Sequence, residues 1–422
     1  MSDNPPVTPD FTARLQATKN SAKALSQATT DTKNRVLAAL ADLLEGNVDH
    51  IIEGNDDDVA RGVAEGMSES LQDRLRLTPE RVAGLAQAVR DIIGLPDPVG
   101  EIVRGATLAN GLRISQVRVP FGVVGVIYEA RPNVTVDIAA LAIKSGNGAV
   151  LRGGSAAESS NRVLVGLIGE ALASQGLPAD AVCTIDDFGR TGANWLMAAR
   201  GFVDVLIPRG SAALIDAVVT QSTVPVIETG SGVVHIFVDD SADIDNAIEI
   251  IHNAKVQRPS VCNAVETVLI HRHVAPQLLA RLGARLAESG VTIHGCPVTC
   301  EHIPGATPAA ADDWGREYLS LDIALRVVDD IDQAISHIDA HSTHHTESIL
   351  TASVTNAERF LKEVDSAAVM VNASTRFTDG GEFGFGAEVG ISTQKLHARG
   401  PMGLPELTSS KWLVRGDGHI RQ

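Results

Sequence analysis

The chain has 422 residues, a formal net charge of -17, 44% hydrophobic residues and only 3% aromatic residues. This length predicts two or three domains, and the acidic balance disfavours a general role in binding nucleic acid. Four scattered cysteines are too few for a disulfide scaffold and favour a reducing compartment.

The N-terminal segment has no basic start followed by an apolar stretch, so it does not resemble a secretory signal. No apolar run reaches the roughly 20 residues that a membrane span needs. We therefore expect a soluble cytoplasmic protein that binds neither a membrane nor nucleic acid.

Two helical runs are predicted within the first hundred residues. Leucine and valine recur on one face over residues 12–52, with Gly46 and Asn47 as a stop signal, and a second helical run covers 70–94. The pattern then changes, because apolar and polar residues alternate around Asn110-Gly111, a strong hairpin signal. An exposed hairpin edge invites pairing, so we expect a second subunit to cover it in a homo-oligomer.

From residue 123 onward, short apolar runs alternate with amphipathic helical segments. The strand-like runs up to residue 230 are VVGVIYE, GAVLRGG, AVCTID, VDVLIPR and VPVIETG. The second half repeats the pattern, and a strand-like tail, SSKWLVRGDGHIR, closes the chain. This alternation predicts an α/β fold with parallel sheets.

One cysteine lies at a junction between two such elements. The helix-like run Asp243–Lys255 precedes Cys262 and the strand-like run Ala264–His271 follows it, with Pro259 forcing a turn between them. A thiolate in such a turn can attack a carbonyl carbon and form a thioester, and a nearby arginine would favour ionisation. The alternative is a small buried hydrophobic residue, the usual environment of a free cysteine.

Four separated segments carry a family resemblance that covers residues 12–416. They resemble the γ-glutamyl phosphate reductase family of the aldehyde dehydrogenase superfamily, and in chain order they are IYEARPNVTVDIAALAIKSGN, LIPRGS, VQRPSVCNAVET, and GGEFGFGAEVGIST followed by HARGPMGL. The resemblance implies an aldehyde dehydrogenase-like fold of two parallel-sheet α/β domains. They are a variant Rossmann cofactor-binding domain (1–99 and 123–229) and a catalytic domain (230–395). An oligomerisation hairpin with a C-terminal strand completes it (100–122 and 396–422).

The resemblance also implies a reaction. The family reduces L-glutamyl 5-phosphate to L-glutamate 5-semialdehyde with NADPH, releasing phosphate, in the second step of proline biosynthesis from glutamate. By this resemblance Cys262 is the nucleophile that forms the thioester, and the Asn133 amide joins the Cys262 backbone N–H in an oxyanion hole. Glutamate 5-kinase, which makes the unstable substrate, is an expected partner. The alternative for Asn133 is an ordinary turn residue.

The expected NADPH/NADP site lacks the G-x-G-x-x-G fingerprint of ordinary Rossmann folds. Instead, LRGGS and PRGS lie at strand ends, where open α/β sheets bind ligands. By resemblance, Arg152 occupies the place of a ribose-contacting lysine, and a guanidinium there suits the 2′-phosphate of NADPH. Ordinary turns with an exposed arginine are the alternative. The candidate cofactor-binding residues are Arg152, Gly153, Ser155, Pro208, Gly210, Ser211 and Glu317, the last by resemblance to a glutamate that contacts the nicotinamide-side ribose.

Substrate-binding candidates are mainly basic, because the substrate carries a carboxylate and a phosphate. Arg376 and Arg399 are candidates for the α-carboxylate or the leaving phosphate, His345 for the phosphate, and Arg258 lies beside the nucleophile. The glycine-rich segment before Arg399 allows backbone to approach a ligand closely.

Two features support rival interpretations. Glu228 falls where hydrolytic aldehyde dehydrogenases place the base that activates water, although a structural role is the alternative. HGCPVTCEH brings together His294, Cys296, Cys300 and His302, a set that resembles a zinc cluster in a non-enzymatic binding protein. Because these four residues are crowded together in sequence, we expect a surface loop and no metal.

Overall fold

The computed structural model describes residues 6–421, and the chain divides into two compact units. The first unit contains the described residues up to Glu228, Gly384–Gly390, and the described residues from Met402 onward. The second unit contains Thr229–Phe383 and Ile391–Pro401. The chain leaves the first unit after Glu228, one residue before the boundary expected from the sequence. It also returns to that unit at 384–390, a crossing that the expected boundaries did not include.

Threonine or serine side chains cap the start of several helices in the first unit. Thr29 accepts a hydrogen bond from the backbone N–H of Thr32 at 3.2 Å, which starts a new helix and interrupts the single helical run expected over 12–52. The helices of this unit, labelled in chain order, are α1 (Pro9–Ser26), α2 (Thr30–Gly46), α3 (Val48–Ala64), α4 (Glu69–Leu75), α5 (Pro79–Gly94), α6 (Pro132–Lys144), α7 (Glu158–Ser174), α8 (Gly189–Met197) and α9 (Ala212–Gln221).

Two sheets belong to the first unit. Its strands are β1 (Ile102–Thr107), β2 (Arg113–Pro120), β3 (Val123–Tyr128), β4 (Gly148–Arg152), β5 (Val182–Thr184), β6 (Val205–Arg209) and, at the chain end, β16 (Thr408–Arg415). Strands in the order β5-β4-β3-β6 form a parallel sheet, and β1-β2-β16 form an antiparallel one. The expected strand VPVIETG runs beside β6 with a single bridge from Val226 to Leu206, because Pro225 has no N–H to extend a ladder.

The second unit is built on one parallel sheet. Its helices are α10 (Ile244–Val256), α11 (Ala275–Ala287), α12 (Pro297–His302), α13 (Ile331–His341) and α14 (Val354–Glu363). Its strands are β7 (Val234–Val238), β8 (Val265–His271), β9 (Thr292–Gly295), β10 (Thr307–Pro308), β11 (Asp322–Val328), β12 (Thr346–Leu350), β13 (Ala368–Val371), β14 (Ile391–Ser392) and β15 (Gly400–Pro401). Seven strands pair in the order β10-β9-β11-β8-β7-β12-β13, and β14 pairs with β15.

Both faces of this sheet are covered. Apolar residues of α10 and α11 pack with one side of β7 and β8, and residues of α13 and α14 pack with the other side. Every residue of β7 and β8 is therefore buried, which explains why the apolar segments 236–238 and 268–270 show no alternation with polar residues. The other residues of these strands include His235, Glu266 and Thr267, which are polar but also buried. The α/β fold expected from the sequence is confirmed.

No helix within residues 6–421 combines the length and the apolar character that crossing a bilayer requires.

The hairpin expected around Asn110-Gly111 is confirmed, and it leaves an apolar surface exposed. Strand β2 lies between β1 and β16. The outer two strands carry Ile102, Val103, Trp412 and Val414, whose exposed fractions range from 47% to 64%. Apolar side chains on unpaired sheet edges favour association with another chain.

We predict that this three-stranded sheet is the subunit interface. Changing Ile102 to Asp and Val414 to Lys should lower the molar mass measured by light scattering, because burying these charges opposes association. The matched control is Val354→Lys on α14, since Val354 is 76% exposed in the other unit and should leave the mass unchanged. An unchanged mass for the double variant would contradict the prediction.

Candidate active site

Cys262 lies in the turn that joins α10 to β8. Asp243 caps the start of α10 by accepting a 2.9 Å hydrogen bond from the backbone N–H of Asn246. The helix ends at Val256, and the chain turns before β8 begins at Val265. Cys262 is partly buried in this turn. The helix-turn-strand expected around the cysteine is confirmed.

A buried ion pair joins the two ends of this turn. Lys255, in the last turn of α10, places its Nζ 2.6 Å from Oε2 of Glu266 on β8, and both side chains are fully buried. The other carboxylate oxygen of Glu266 accepts a hydrogen bond from the backbone N–H of Leu319 at 3.2 Å. Burial raises the pKa of Glu266 to about 7 and lowers the pKa of Lys255. Sequence reasoning missed this pair, although a lysine and a glutamate inside apolar elements were a visible signal.

Gly232 supports the cysteine turn from a neighbouring segment. A Cβ built on Gly232 would lie 1.5 Å from the carbonyl oxygen of Cys262, so only glycine fits there. The backbone N–H of Gly232 donates to the carboxylate of Glu317 at 2.7 Å. Burial raises the pKa of Glu317. Glu317 therefore lies beside the segment that contacts the nucleophile, and its contact with a cofactor ribose stays a prediction.

Asn263 fastens the turn to residues 375–378. Its side-chain amide donates to the carbonyl oxygen of Thr378 at 2.8 Å, and the hydroxyl of Thr375 donates to the carbonyl oxygen of Asn263 at 2.8 Å. Half-buried Arg376 lies between these two threonines in sequence. Burial lowers its pKa and the nearby charge of Arg258 acts in the same direction, whereas Asp379 and Cys262 oppose the shift. The charge of Arg376 therefore interacts with both Arg258 and Cys262.

The structure places two other predicted substrate residues in different surroundings. His345 is fully buried, its Nδ1 lies 2.8 Å from the hydroxyl of Thr346, and burial lowers its pKa to about 4. A neutral, enclosed imidazole does not fit contact with a substrate phosphate. Arg399 forms an ion pair with Asp365 at 2.7 Å and also donates to the Asp365 carbonyl oxygen. The guanidinium expected at the α-carboxylate or the leaving phosphate therefore already pairs with a carboxylate of the chain.

The residues of the suspected zinc cluster do not form a surface loop. They lie at the end of β9 and in α12, where His294 bonds to Asp322 at 3.0 Å and Cys296 accepts from the Val327 backbone N–H at 3.3 Å. In the described part of the chain, His, Cys, Asp or Glu ligand atoms converge within 4.8 Å at a different group, Asp240, His271 and His273. That group lies at the carboxyl ends of β7 and β8, with His271 as the last residue of β8, whereas Cys262 precedes β8.

In the first unit, the predicted strand end at Arg152 is held by buried polar groups. A Cβ on Gly153 would lie 2.1 Å from the amide nitrogen of Asn161, so this position also requires glycine. Asp186 accepts hydrogen bonds from the Gly153 N–H at 2.6 Å and from Asn161 at 2.9 Å. Burial raises the pKa of Asp186. The network leaves Arg152 partly exposed as the cationic group at the end of β4.

The helix that follows this strand end is already capped. The buried carboxylate of Asp58 on α3 accepts hydrogen bonds from the backbone N–H groups of Ser159 and Ser160 at 3.0 and 2.7 Å. Arg61 pairs with Asp58 and donates to the carbonyl oxygen of exposed Ser155 at 3.0 Å. A cofactor phosphate therefore finds the start of α7 occupied by the chain's own carboxylate.

At the second predicted strand end, β6 leads through buried Pro208 to the start of α9. Ser211 caps α9. The carboxylate of exposed Glu129 accepts from the Ser211 backbone N–H at 2.9 Å and lies 3.2 Å from its hydroxyl. A Cβ on Gly210 would lie 2.6 Å from the same carboxylate. The donors expected to bind a phosphate thus hold a carboxylate of this chain.

Asn133 lies in the first turn of α6 and is exposed. Its amide donates to the carboxylate of Asp137, one turn later, at 3.3 Å. Burial raises the pKa of Asp137 to about 6. Glu228 is partly buried at the end of the irregular segment beside β6. The roles of Asn133 and Glu228 in catalysis stay predictions.

Comparison with known proteins places the chain among relatives of one kind. A family model described as the aldehyde dehydrogenase family matches residues 8–296. A protein of Leifsonia xyli subsp. xyli named gamma-glutamyl phosphate reductase is 64% identical over 411 residues, covering 97% of this chain and 98% of that one. One of the same name from Clavibacter michiganensis subsp. michiganensis is 57% identical and covers both chains completely. The crystal structure of gamma-glutamyl phosphate reductase from Thermotoga maritima superposes with a TM-score of 0.95 at 47% identity, over 98% of this chain and 100% of that one.

We predict that Gly232→Ala displaces the cysteine turn, because the added methyl would overlap the carbonyl oxygen of Cys262. Overpacking of this kind costs about 1–3 kcal/mol or more. The variant should unfold at a lower temperature in calorimetry, and iodoacetamide should label Cys262 at a different rate. Gly166→Ala on α7 is the matched control, since nothing lies within 4 Å of its added Cβ. Unchanged labelling and melting in Gly232→Ala would show that the turn does not depend on this contact.

Proposed function

The chain belongs to the aldehyde dehydrogenase family and, within it, to the γ-glutamyl phosphate reductases, oxidoreductases of proline biosynthesis, and we propose that it reduces L-glutamyl 5-phosphate to L-glutamate 5-semialdehyde through a Cys262 thioester. The supporting observation is the Cys262 turn, which is fixed at both ends by the buried Lys255–Glu266 pair. A nucleophile must be held in a defined geometry for covalent catalysis to be efficient.

Cys262 forms and breaks the bonds to the acyl carbon. Its thiolate attacks that carbon, the C–O bond to phosphate breaks, and inorganic phosphate leaves with the electron pair. The resulting thioester accepts a hydride, and the oxyanion that forms takes up a proton. Collapse of the thiohemiacetal breaks the C–S bond, returns the hydroxyl proton to solvent, releases the aldehyde and regenerates the thiolate. Arg376 lies near enough to interact electrostatically with Cys262 and with Arg258, and a positive charge there suits both an anionic substrate and an ionised thiol.

Negative charge develops twice on the carbonyl oxygen, so donors must meet it. We assign this role to the Cys262 backbone N–H and to the Asn133 amide, which is exposed at the start of α6. A reductase needs no base to activate water, since water would hydrolyse its thioester. We therefore assign Glu228 no catalytic step.

The donor set of the first unit fits an anionic dinucleotide. Arg152 at the end of β4 and the Ser211 N–H after β6 follow strands that flank β3, at the same edge of the parallel sheet. The backbone N–H and the hydroxyl of Ser211 already donate hydrogen bonds to the two carboxylate oxygens of Glu129, so these donors can bind an anionic group. We propose NADPH as the cofactor, with Arg152 at its 2′-phosphate and Gly210 and Ser211 at its pyrophosphate. When bound, the cofactor supplies the hydride.

We predict that Cys262→Ala abolishes phosphate-dependent reduction of NADP with L-glutamate 5-semialdehyde. The loss should reach about a thousandfold or more, because no other group can form the thioester. Cys300→Ala is the matched control, a partly buried cysteine on α12 that should retain activity. If Cys262→Ala still catalysed the phosphate-dependent reaction, the proposed Cys262 thioester would be ruled out. Oxidation of the aldehyde without phosphate would instead favour a hydrolytic dehydrogenase that uses Glu228.

We predict that Glu129→Gln tightens NADP binding. The substitution removes a negative charge from the start of α9, where the cofactor phosphates must displace the carboxylate. A charge at a helix terminus contributes about 0.3–1 kcal/mol, so the Kd measured by calorimetry should fall about 2- to 5-fold. Glu170→Gln, an exposed position on α7, should leave the Kd unchanged. An unchanged or weaker affinity in Glu129→Gln would show that the carboxylate does not compete with the cofactor.

A further inference from the structure

A small polar pocket opens beside the segment that Asn263 fastens to the cysteine turn. Its volume is about 190 Å³, and its lining residues are Asn253, Gln257, Arg376, Phe377, Asp379 and Glu382. Pockets for drug-sized ligands measure about 300–1,000 Å³, so this one suits only a small group.

The lining carries both signs of charge. Arg376 contributes a guanidinium, Asp379 and Glu382 contribute carboxylates, and two amides and an aromatic ring complete the wall. This set matches an α-amino acid, whose carboxylate and ammonium are one carbon apart. A simple phosphate or aldehyde site would have no use for two carboxylates, because they would repel an anion.

Local hydrogen bonds orient the charged groups before any ligand arrives. The Nε of Arg376 donates to the side-chain oxygen of Gln257 at 2.8 Å, which sets the plane of the guanidinium. Asp379 accepts from the backbone N–H groups of Gly381 and Glu382 at 2.8 and 3.4 Å. Preorganised groups of this kind lose less freedom when a ligand binds.

Hydrogen bonds also link the wall of the pocket to the turn that carries the nucleophile. In a glutamyl group, two methylene groups separate the α-carbon from the acyl carbon, so a site for the amino-acid end must adjoin the cysteine. Asn263, the residue after Cys262, bonds to the carbonyl oxygens of Arg376 and Thr378 at 3.4 and 2.8 Å. The side chain of Asn263 therefore links the pocket wall to the residue that follows Cys262 in the chain.

We propose that this pocket binds the α-amino-acid end of the substrate, with Arg376 pairing with the α-carboxylate and Asp379 and Glu382 with the α-ammonium. Gln257 positions Arg376. The assignment rests on the proposed function and explains its specificity. An aldehyde that lacks the carboxylate or the ammonium would bury the corresponding charged group of the pocket without a partner, which costs binding free energy.

The test uses three aldehydes in phosphate-dependent oxidation by the full-length enzyme. They are L-glutamate 5-semialdehyde, 5-oxopentanoate, which lacks the ammonium, and 4-aminobutanal, which lacks the carboxylate. Arg376→Gln should lower kcat/KM about 100-fold more for the two aldehydes that carry a carboxylate than for 4-aminobutanal, because the loss of charge near Cys262 affects all three aldehydes alike. Arg376→Lys should restore part of the loss.

Glu382→Gln, alone and with Asp379→Asn, should lower kcat/KM for the two aldehydes that carry an ammonium and spare 5-oxopentanoate. Glu382→Gln alone is included because Asp379→Asn could also disrupt the turn in which Asp379 accepts backbone hydrogen bonds. Melting temperatures show whether each variant is folded. The KM for phosphate should stay constant throughout. Arg272→Gln and Asp329→Asn are matched charge controls, because these two exposed residues pair with each other and line no part of the pocket.

An equal loss on all three aldehydes with a raised KM for phosphate would overturn the proposal and make Arg376 a phosphate ligand. Unchanged discrimination in both sets of variants would overturn it as well. If the unmodified enzyme oxidises none of the aldehydes, the proposed function fails, and calorimetry with L-glutamate then decides the pocket separately. Binding of L-glutamate that is lost in Arg376→Gln would support the pocket, and absence of binding to the unmodified enzyme would reject it.

Discussion

The buried ion pair between Lys255 and Glu266 is the constraint on which the reactive turn depends. Each charge is fully enclosed, so neither can be satisfied by water, and removing one partner from such a pair costs about 3–5 kcal/mol. The pair therefore holds the end of α10 to the start of β8. Gly232 restricts the turn from another side, because the carbonyl oxygen of Cys262 occupies the space where a side chain at position 232 would lie. The turn that carries the sulfur is thus held by groups that take no part in the chemistry.

Carboxylates of the chain itself occupy several of the places where an anionic cofactor could bind. Asp58 at α7 and Asp186 at the end of β4 are buried and make several hydrogen bonds each, so they belong to the framework. Glu129 at α9 makes similar hydrogen bonds but is exposed, and water can solvate it once it leaves. Burial thus distinguishes a structural cap from a carboxylate that a cofactor can displace.

The same logic links the nucleophile to specificity. Asn263 follows the cysteine and bonds to the segment that carries Arg376, so the wall of the small charged pocket and the reactive turn form one hydrogen-bonded frame. A frame of this kind would position the acyl carbon by holding the far end of the molecule. Binding energy from a part of the substrate that does not react can then orient the part that does.

Local sequence signals determined much of this protein. The helix-turn-strand around Cys262, the hairpin at Asn110-Gly111 and the parallel α/β architecture follow from hydrophobic periodicity and turn residues, which act over a few positions. Tertiary structure alone decided the partners of individual polar side chains. Arg399 pairs with Asp365, and Lys255 pairs with Glu266 across the cysteine turn. His345 is fully buried. Periodicity specifies which face of an element is buried, but the partner of a charged group depends on how separate elements pack, and no local pattern records that.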